Sequence, residues 1–319
     1  MTNKQKYIQL LKEHDVHIFM QDWWLDSVCS KDWDVFLYEK DGKILAALPY
    51  NINKTFGFTT IIPALLSPVS GMFIDYSDCG RLSEKYSLEN TVMEAFAEFI
   101  DKTKPAYFNY QLAPENFFWT GMYWHGFNAT VHYTYKVDIS DMEQCFANFL
   151  PVMRKNLRRA ERLLTIETEN ICLKDIYNDL LLTTYKKQGT KIPYSFEIFE
   201  KIVLACEKNG SGKLFVAKDS QQKAMGTLLI VWDKTTCYNL VSGMLETKEQ
   251  NYAVSFLTYK AMQYANALGI KDFDMEGSML RNIEHYFRFF SGTRTPYLII
   301  EKKYSKTFQF LKKLKRLLR

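Results

Sequence analysis

The run KDFDMEGSMLRNIEHYFRFF holds the side chains best suited to chemistry. Within it, Asp274 and Glu276 alternate with the apolar Phe273 and Met275, which is the period of a strand. Both carboxylates are therefore expected on one face as that strand leaves its sheet. A carboxylate at a strand end can lose part of its water, and the loss lifts its pKa toward the range where it accepts a proton from an attacking amine or hydroxyl. The residues alone equally allow an ion pair with Arg281 or Arg288, since structural pairs perturb the same groups. Gly277 and Ser278 permit a sharp turn, and the Ser278 hydroxyl is a candidate hydrogen-bond donor.

Two basic segments could meet an anion. In DMEQCFANFLPVMRKNLRRAERLL, expected as one helical stretch, Arg154, Arg158 and Arg162 recur every four residues with Lys155 and Arg159 beside them. Such a face is either solvated or a binding surface for phosphate oxygens, which guanidinium forks match in pairs. At the C-terminus, KTFQFLKKLKRLLR sets Phe310, Leu311, Leu314, Leu317 and Leu318 on one side of a helix with lysines and arginines around the rest. A basic amphipathic helix of this kind lies on an anionic membrane or docks on its own domain.

The elements that must position these groups repeat in order. In the first half an aromatic helix at QDWWLDSV precedes two alternating strands, DVFLYEKDGKILAALPYNI, joined through Lys40, Asp41 and Gly42. A strand around ALLSPVSGMFI, a helix SLENTVMEAFAEFIDKT and a strand AYFNYQL follow. In the second half helices at DIYNDLLLTTYKK and SFEIFEKIVLACEK precede the two strands of KLFVAKDSQQKAMGTLLIVW. There the strand CYNLVSGML, the helix AVSFLTYKAMQYANAL and the strand KDFDME complete the order. The apolar stripe of that helix repeats at 3.6 residues and reads as core.

Composition excludes several classes. The chain has 319 residues, 47% of them hydrophobic, enough for about two domains with real cores. It contains no apolar run of membrane-spanning length, and its first residues lack the apolar centre of a signal peptide, so a cytoplasmic protein is expected. Six cysteines and five histidines are scattered without ligand spacing, which argues against a metal site or a disulfide framework. A net charge of +5, concentrated in the two basic segments, points to local anion sites rather than to general nucleic-acid affinity.

The stretch from Asp274 through the Gly277–Ser278 turn to Tyr286 and Arg288 resembles the corresponding part of the Fem family of aminoacyltransferases of cell-wall synthesis, and of related GNAT-like acyltransferases of polysaccharide gene clusters. The segment RKNLRRAER also resembles one that lies between the domains in those families, on the match of Arg154, Lys155, Arg158, Arg159 and Ala160. Helices, hairpin, strand, helix, strand is the element order of the GNAT fold, and two copies is the architecture of the Fem family. The resemblance implies an α/β (α+β) chain of two tandem GNAT-like domains, each a mixed and mostly antiparallel sheet flanked by helices. Their expected spans are 1–140 and 166–304, with a basic inter-domain helix over 141–165 and the amphipathic tail over 305–319.

The implied activity is acyl or aminoacyl transfer to an amine or hydroxyl of a cell-envelope or polysaccharide precursor, small or lipid-linked. Candidate catalytic residues are then Asp274, Glu276 and Ser278, and Arg154, Lys155, Arg158, Tyr286 and Arg288 are candidates for substrate or anion binding. The co-substrate is expected to be acyl coenzyme A or aminoacyl-tRNA, with no permanently bound cofactor. GNAT enzymes cradle the coenzyme pyrophosphate in a glycine loop before a helix, whereas ETKEQNYAV at that place contains no glycine. Two alternatives stay open: a coenzyme A-dependent N-acetyltransferase of sugar or amino-acid metabolism, and a non-catalytic module holding an anionic membrane or polymer.

Overall fold

Asp41 and Gly42, at φ of 50° and 79°, make the two-residue turn that matches the twist of the strands on either side. That turn closes the first hairpin of a computed structural model that describes residues 1–29, 32–247, 252–277 and 279–317. By their contacts the residues divide into two units, Met1–His132 with Pro296–Arg319, and Tyr133–Thr295.

The first unit opens with helices α1 (Asn3–Glu13) and α2 (Asp22–Val28). A capping box starts α1, the Thr2 hydroxyl accepting from the Gln5 N–H while the Gln5 side chain accepts from the Thr2 N–H. Strands β1 (Trp33–Lys40) and β2 (Lys43–Thr55) form the hairpin. Next come β3 (Phe58–Ile61), β4 (Phe73–Ile74), α3 (Leu82–Thr103), β5 (Tyr107–Gln111) and α4 (Thr120–Trp124). A second tight turn, Phe56 and Gly57 at φ of 54° and 78°, joins β2 to β3. The strand expected over 64–74 is present only as β4, and the residues before it are irregular. Val92, Met93, Phe96, Ala97 and Ile100 recur on one side of α3 and bury against Leu48, Phe108 and Tyr110 of the sheet.

The chain passes through β6 (Asn128–Asp138) into the second unit. Helices α5 (Met142–Asn148) and α6 (Pro151–Leu163) stand where one helix was expected, because Pro151 disfavours helical backbone in the residue before it and Leu150 is extended, at ψ of 145°. Then follow β7 (Thr165–Glu167), α7 (Leu173–Asp175), a π-helical segment Ile176–Leu181, α8 (Leu182–Lys187) and α9 (Phe196–Lys208). Strands β8 (Gly212–Lys218), β9 (Ala224–Trp232) and β10 (Thr236–Met244) lead to α10 (Ala253–Ala267), β11 (Asp272–Asp274) and α11 (Arg281–Phe287). Here the sheet runs β6-β11-β10-β9-β8-β7, antiparallel except between β10 and β11. α10 buries Phe256, Leu257, Ala261, Met262 and Ala265 on it, and α6 adds Met153, Leu157 and Ala160 to the same core. Through β12 (Thr293–Lys303) the chain returns to the first unit, where β12 pairs with β5 and α12 (Lys306–Leu317) follows.

Each unit is thus a mixed, mostly antiparallel sheet flanked by helices. In each, one strand pair is parallel, β3 with β5 and β10 with β11, and each of those pairs is connected through a helix, α3 or α10. Four cysteines are buried, Cys79 is half-buried and Cys172 exposed, and all six carry free thiols.

Candidate functional site

β11 is short but central. It pairs in parallel with β10 at Thr236–Asp272, Cys237–Phe273 and Tyr238–Asp274, and antiparallel with β6 at Asp138, Val137 and Lys136. Asp274 is consequently only 5% exposed. A buried carboxylate needs hydrogen bonds to offset its lost hydration, and two reach its Oδ1. The Thr134 hydroxyl on β6 donates one, and the main-chain N–H of Glu276 donates the other at 2.8 Å. The second bond closes a turn of the kind Asp side chains favour, bending the chain out of the strand. Glu276 there takes φ of 55°, a left-handed conformation uncommon for a residue with a long side chain. The alternation seen in the sequence therefore ends with the strand: Asp274 and Glu276 are coupled through a turn rather than set on one strand face.

Glu276 is the unusual group. Its Oε1 is buried and has no hydrogen-bond partner among the described residues. Burial first, and then the negative charge of Asp274, push its carboxyl well above the usual range. Buried polar atoms without partners are rare enough that each calls for an explanation, and a catalytic role is one. Nearby, burial raises the Tyr185 phenol, the Tyr194 hydroxyl partly offsets this, and Glu276 adds a smaller upward push. The Tyr185 ring meets Tyr194 edge-on at 6.4 Å, and Tyr194 Oη is also buried with no hydrogen-bond partner of good geometry among the described residues. A third such atom, Asn239 Oδ1, lies on β10 one residue past the β10–β11 pairing.

The sheet opens at this point. β10 carries an irregularity between Asn239 and Val241 and runs on to Met244, whereas β11 stops at Asp274. Pairing of the two parallel strands thus ends at their carboxyl ends, which is where open α/β sheets leave room for ligands. Leu245 N–H donates to Met225 on β9, so the alternating main chain turns Met244 and Ser242 the other way, toward the gap. At Met244 both main-chain groups are taken by Thr184 of α8, the N–H donating to Oγ1 at 2.9 Å and Oγ1 donating to the carbonyl at 3.3 Å. The π-helical segment before α8 packs on Gly243, where a Cβ would stand 2.8 Å from Leu181 Cδ2 and 3.0 Å from the Leu180 carbonyl oxygen. Glycine lets this helix close one wall of the gap.

The other residues singled out by sequence have places of their own. Tyr286 donates to Ser255 in the first turn of α10 at 3.2 Å, and burial pushes its phenol up to about 12. Arg288 is exposed, with Nε 3.4 Å from Glu284 and Nη2 2.8 Å from His285 Nδ1. Glu284 also accepts from Tyr135 at 2.5 Å and pairs with Arg294 at 3.4 Å, and the Tyr135 hydrogen bond leads the causes that hold its carboxyl below the usual range. On α6, Arg154 donates to the Ala147 carbonyl at the end of α5, at 3.1 Å, and the Arg158 guanidinium lies 5.7 Å from the Phe146 ring centre. Lys155 is exposed on the same helix. Ser278 lies outside the described residues, as does part of the glycine-free loop before α10. Thr134, Thr184, Tyr185 and Tyr194 were not singled out, and nothing in their local spacing distinguishes them.

Residues 148–288 match the acetyltransferase (GNAT) domain family. Among solved structures the chain is similar to FemX, at TM-score 0.67 and 13% identity over 93% of this chain and 96% of that one. It is also similar to a C-terminal domain described as that of a lysylphosphatidylglycerol synthetase from Agrobacterium fabrum, at TM-score 0.57 and 16% identity over 93% and 90% of the two chains. L-PGS from Bacillus licheniformis matches at TM-score 0.57 and 14% identity, over 98% of this chain and 96% of that one. No match is found among curated protein sequences. The span 148–288 contains α6, the β10–β11 pair, Glu276 and α11, so the family match falls on the site itself. Residues 148–288 are accordingly similar to the acetyltransferase (GNAT) domain family, and the chain as a whole has a fold similar to that of FemX.

Proposed function

We propose that the chain transfers an acyl or aminoacyl group to an amine or hydroxyl of a cell-envelope or polysaccharide precursor, with Glu276 as the group that takes the acceptor's proton. The observation that carries this is the buried Oε1 of Glu276, without a hydrogen-bond partner among the described residues, just past the end of the β10–β11 pairing and inside the matched span. Acyl transfer needs a positioned acceptor, a base and a donor to the developing oxyanion, with no covalent intermediate on the protein. Once ionised, a carboxyl raised by burial and by Asp274 is a stronger base than an ordinary one. Asp274 acts through Glu276: its Oδ1 accepts from the Glu276 main-chain N–H, and its charge adds to burial in raising the Glu276 carboxyl. The main-chain N–H of Ser242, turned to the gap, is the candidate donor for the oxyanion.

The step then runs as follows. The acceptor nitrogen or oxygen attacks the donor carbonyl, its proton passes to Glu276, and the tetrahedral oxyanion is held by main-chain N–H groups. Collapse expels the thiol of coenzyme A or the ribose hydroxyl of tRNA, which takes a proton back from Glu276. The envelope acceptor is favoured by the likeness to FemX and to a structure named for a lysylated phospholipid.

The test is a transfer assay with acetyl coenzyme A and with aminoacyl-tRNA as donors against nucleotide-linked and lipid-linked envelope precursors, product read by mass. We expect one donor to yield a product, and Glu276→Gln to lower kcat by about 10²- to 10⁴-fold while the donor still raises the melting temperature. Full turnover by that variant would remove Glu276 from the chemistry. Absence of product and of melting shift with either donor would leave the fold without this activity.

A further inference from the structure

The tail helix α12 uses only part of its apolar surface to dock. Phe308, 3% exposed, packs with Ala106 and Tyr107 and against Phe58 and Ile62 of the first unit. Phe310 and Leu314 remain 66% and 42% exposed on the same helix. Over residues 305–319 there are six cations and no acidic residue, and Lys306, Lys313 and Lys315 are exposed.

Beside α12 stands the β2–β3 turn. The Phe56 ring is 6.3 Å from Phe308 and 5.2 Å from Lys315 Nζ, yet Phe56 is 43% exposed. Two considerations weigh against a phenylalanine at this position. Its φ of 54° belongs to a turn in which Asn or Gly is favoured and a bulky side chain is an outlier. Exposure, moreover, returns little of the free energy that burying a ring would provide. A residue opposed both by its backbone and by its solvation is better explained by something it contacts outside the chain.

We propose that the Phe56 turn and the tail helix α12 form one docking surface for an anionic lipid bilayer. Phe56, Phe310 and Leu314 enter the boundary between headgroups and acyl chains, and Lys306, Lys313 and Lys315 meet lipid phosphates. Charge complementarity selects an anionic partner, and the three exposed apolar side chains select a bilayer over nucleic acid, whose phosphate backbone offers nothing to Leu314 or Phe310.

The experiment is flotation of the full chain with vesicles of mixed phosphatidylglycerol and phosphatidylcholine, and with phosphatidylcholine alone. Binding is expected to the first only, and to weaken as salt is added. Lys313→Gln with Lys315→Gln should lower the partition coefficient about thirtyfold, at roughly a fivefold loss per cation. Phe56→Asn should lower it about fivefold while the melting temperature holds or rises, since Asn suits the turn better than Phe. That pairing separates lost docking from lost folding. Equal binding to both vesicles, or unchanged binding by Phe56→Asn and Phe310→Ser, overturns the proposal. So does absence of vesicle binding in a protein that binds tRNA or self-associates through these same residues.

Discussion

Replacing Glu276 by Gln isolates a single titration whose sign is set by the structure. The raised carboxyl keeps its proton in the folded chain over a pH range in which an unfolded glutamate, with pKa about 4.3, has lost it. The folded state binds more protons there, so stability falls as pH rises from the unfolded value and stops falling once the native carboxyl ionises. Within that window each pH unit costs the wild type about 1.4 kcal/mol that the Gln variant keeps. Gln preserves the size of the side chain and needs no desolvation of a charge. Urea unfolding of both proteins at a series of pH values gives the difference curve directly, and its break marks the native pKa of Glu276. Because Asp274 repulsion is the second cause of the shift, Asp274→Asn should move that break to lower pH without abolishing it. Parallel stability curves for wild type and Glu276→Gln would refute the reasoning, since they would mean that the carboxyl titrates in the folded chain as it does in water.

The same site supplies further expectations. Thr134→Val keeps the shape but removes the hydroxyl that donates to Asp274, and should cost about 1.5–3 kcal/mol in denaturant unfolding, the range for hydrogen bonds to charged groups. Gly243→Ala drives a Cβ to 2.8 Å from Leu181 and 3.0 Å from the Leu180 carbonyl oxygen, so a loss of about 1–3 kcal/mol is expected, with transfer activity falling by more than stability because the Thr184 clamp on Met244 shifts. Arg154→Ala removes a hydrogen bond to the Ala147 carbonyl on the surface, and melting should change by about 1 kcal/mol or less. A much larger loss of donor binding than of stability in that variant would give Arg154 a role with an anion.

What could be read from the residues was local. The Asp41–Gly42 turn, the strands beside it and the stripe of α10 each follow from a few neighbouring side chains, and they stand where the pattern put them. The turn at Phe56 and Gly57 has a phenylalanine where Asn or Gly would signal positive φ, and the break before α6 is marked only by Pro151. The same distinction divides the site. That Asp274 and Glu276 are carboxylates at a strand end is a local fact. That one of them is satisfied and the other left bare depends on Thr134, 140 residues away in the chain, and on the helical wall carrying Tyr185. Desolvation is a property of the whole surrounding shell, so two carboxylates two residues apart can differ widely in proton affinity with nothing in their own spacing to say which. Asp274 Oδ1 accepts from Thr134 and from the Glu276 N–H, and the same turn carries the Glu276 carboxyl into a place where Oε1 has no partner among the described residues. Burial is the larger cause of the raised Glu276 carboxyl and the Asp274 charge the second, and exchanging the two side chains should abolish the raised carboxyl rather than move it, because a glutamate at 274 is one carbon too long to close the same turn onto the N–H two residues on.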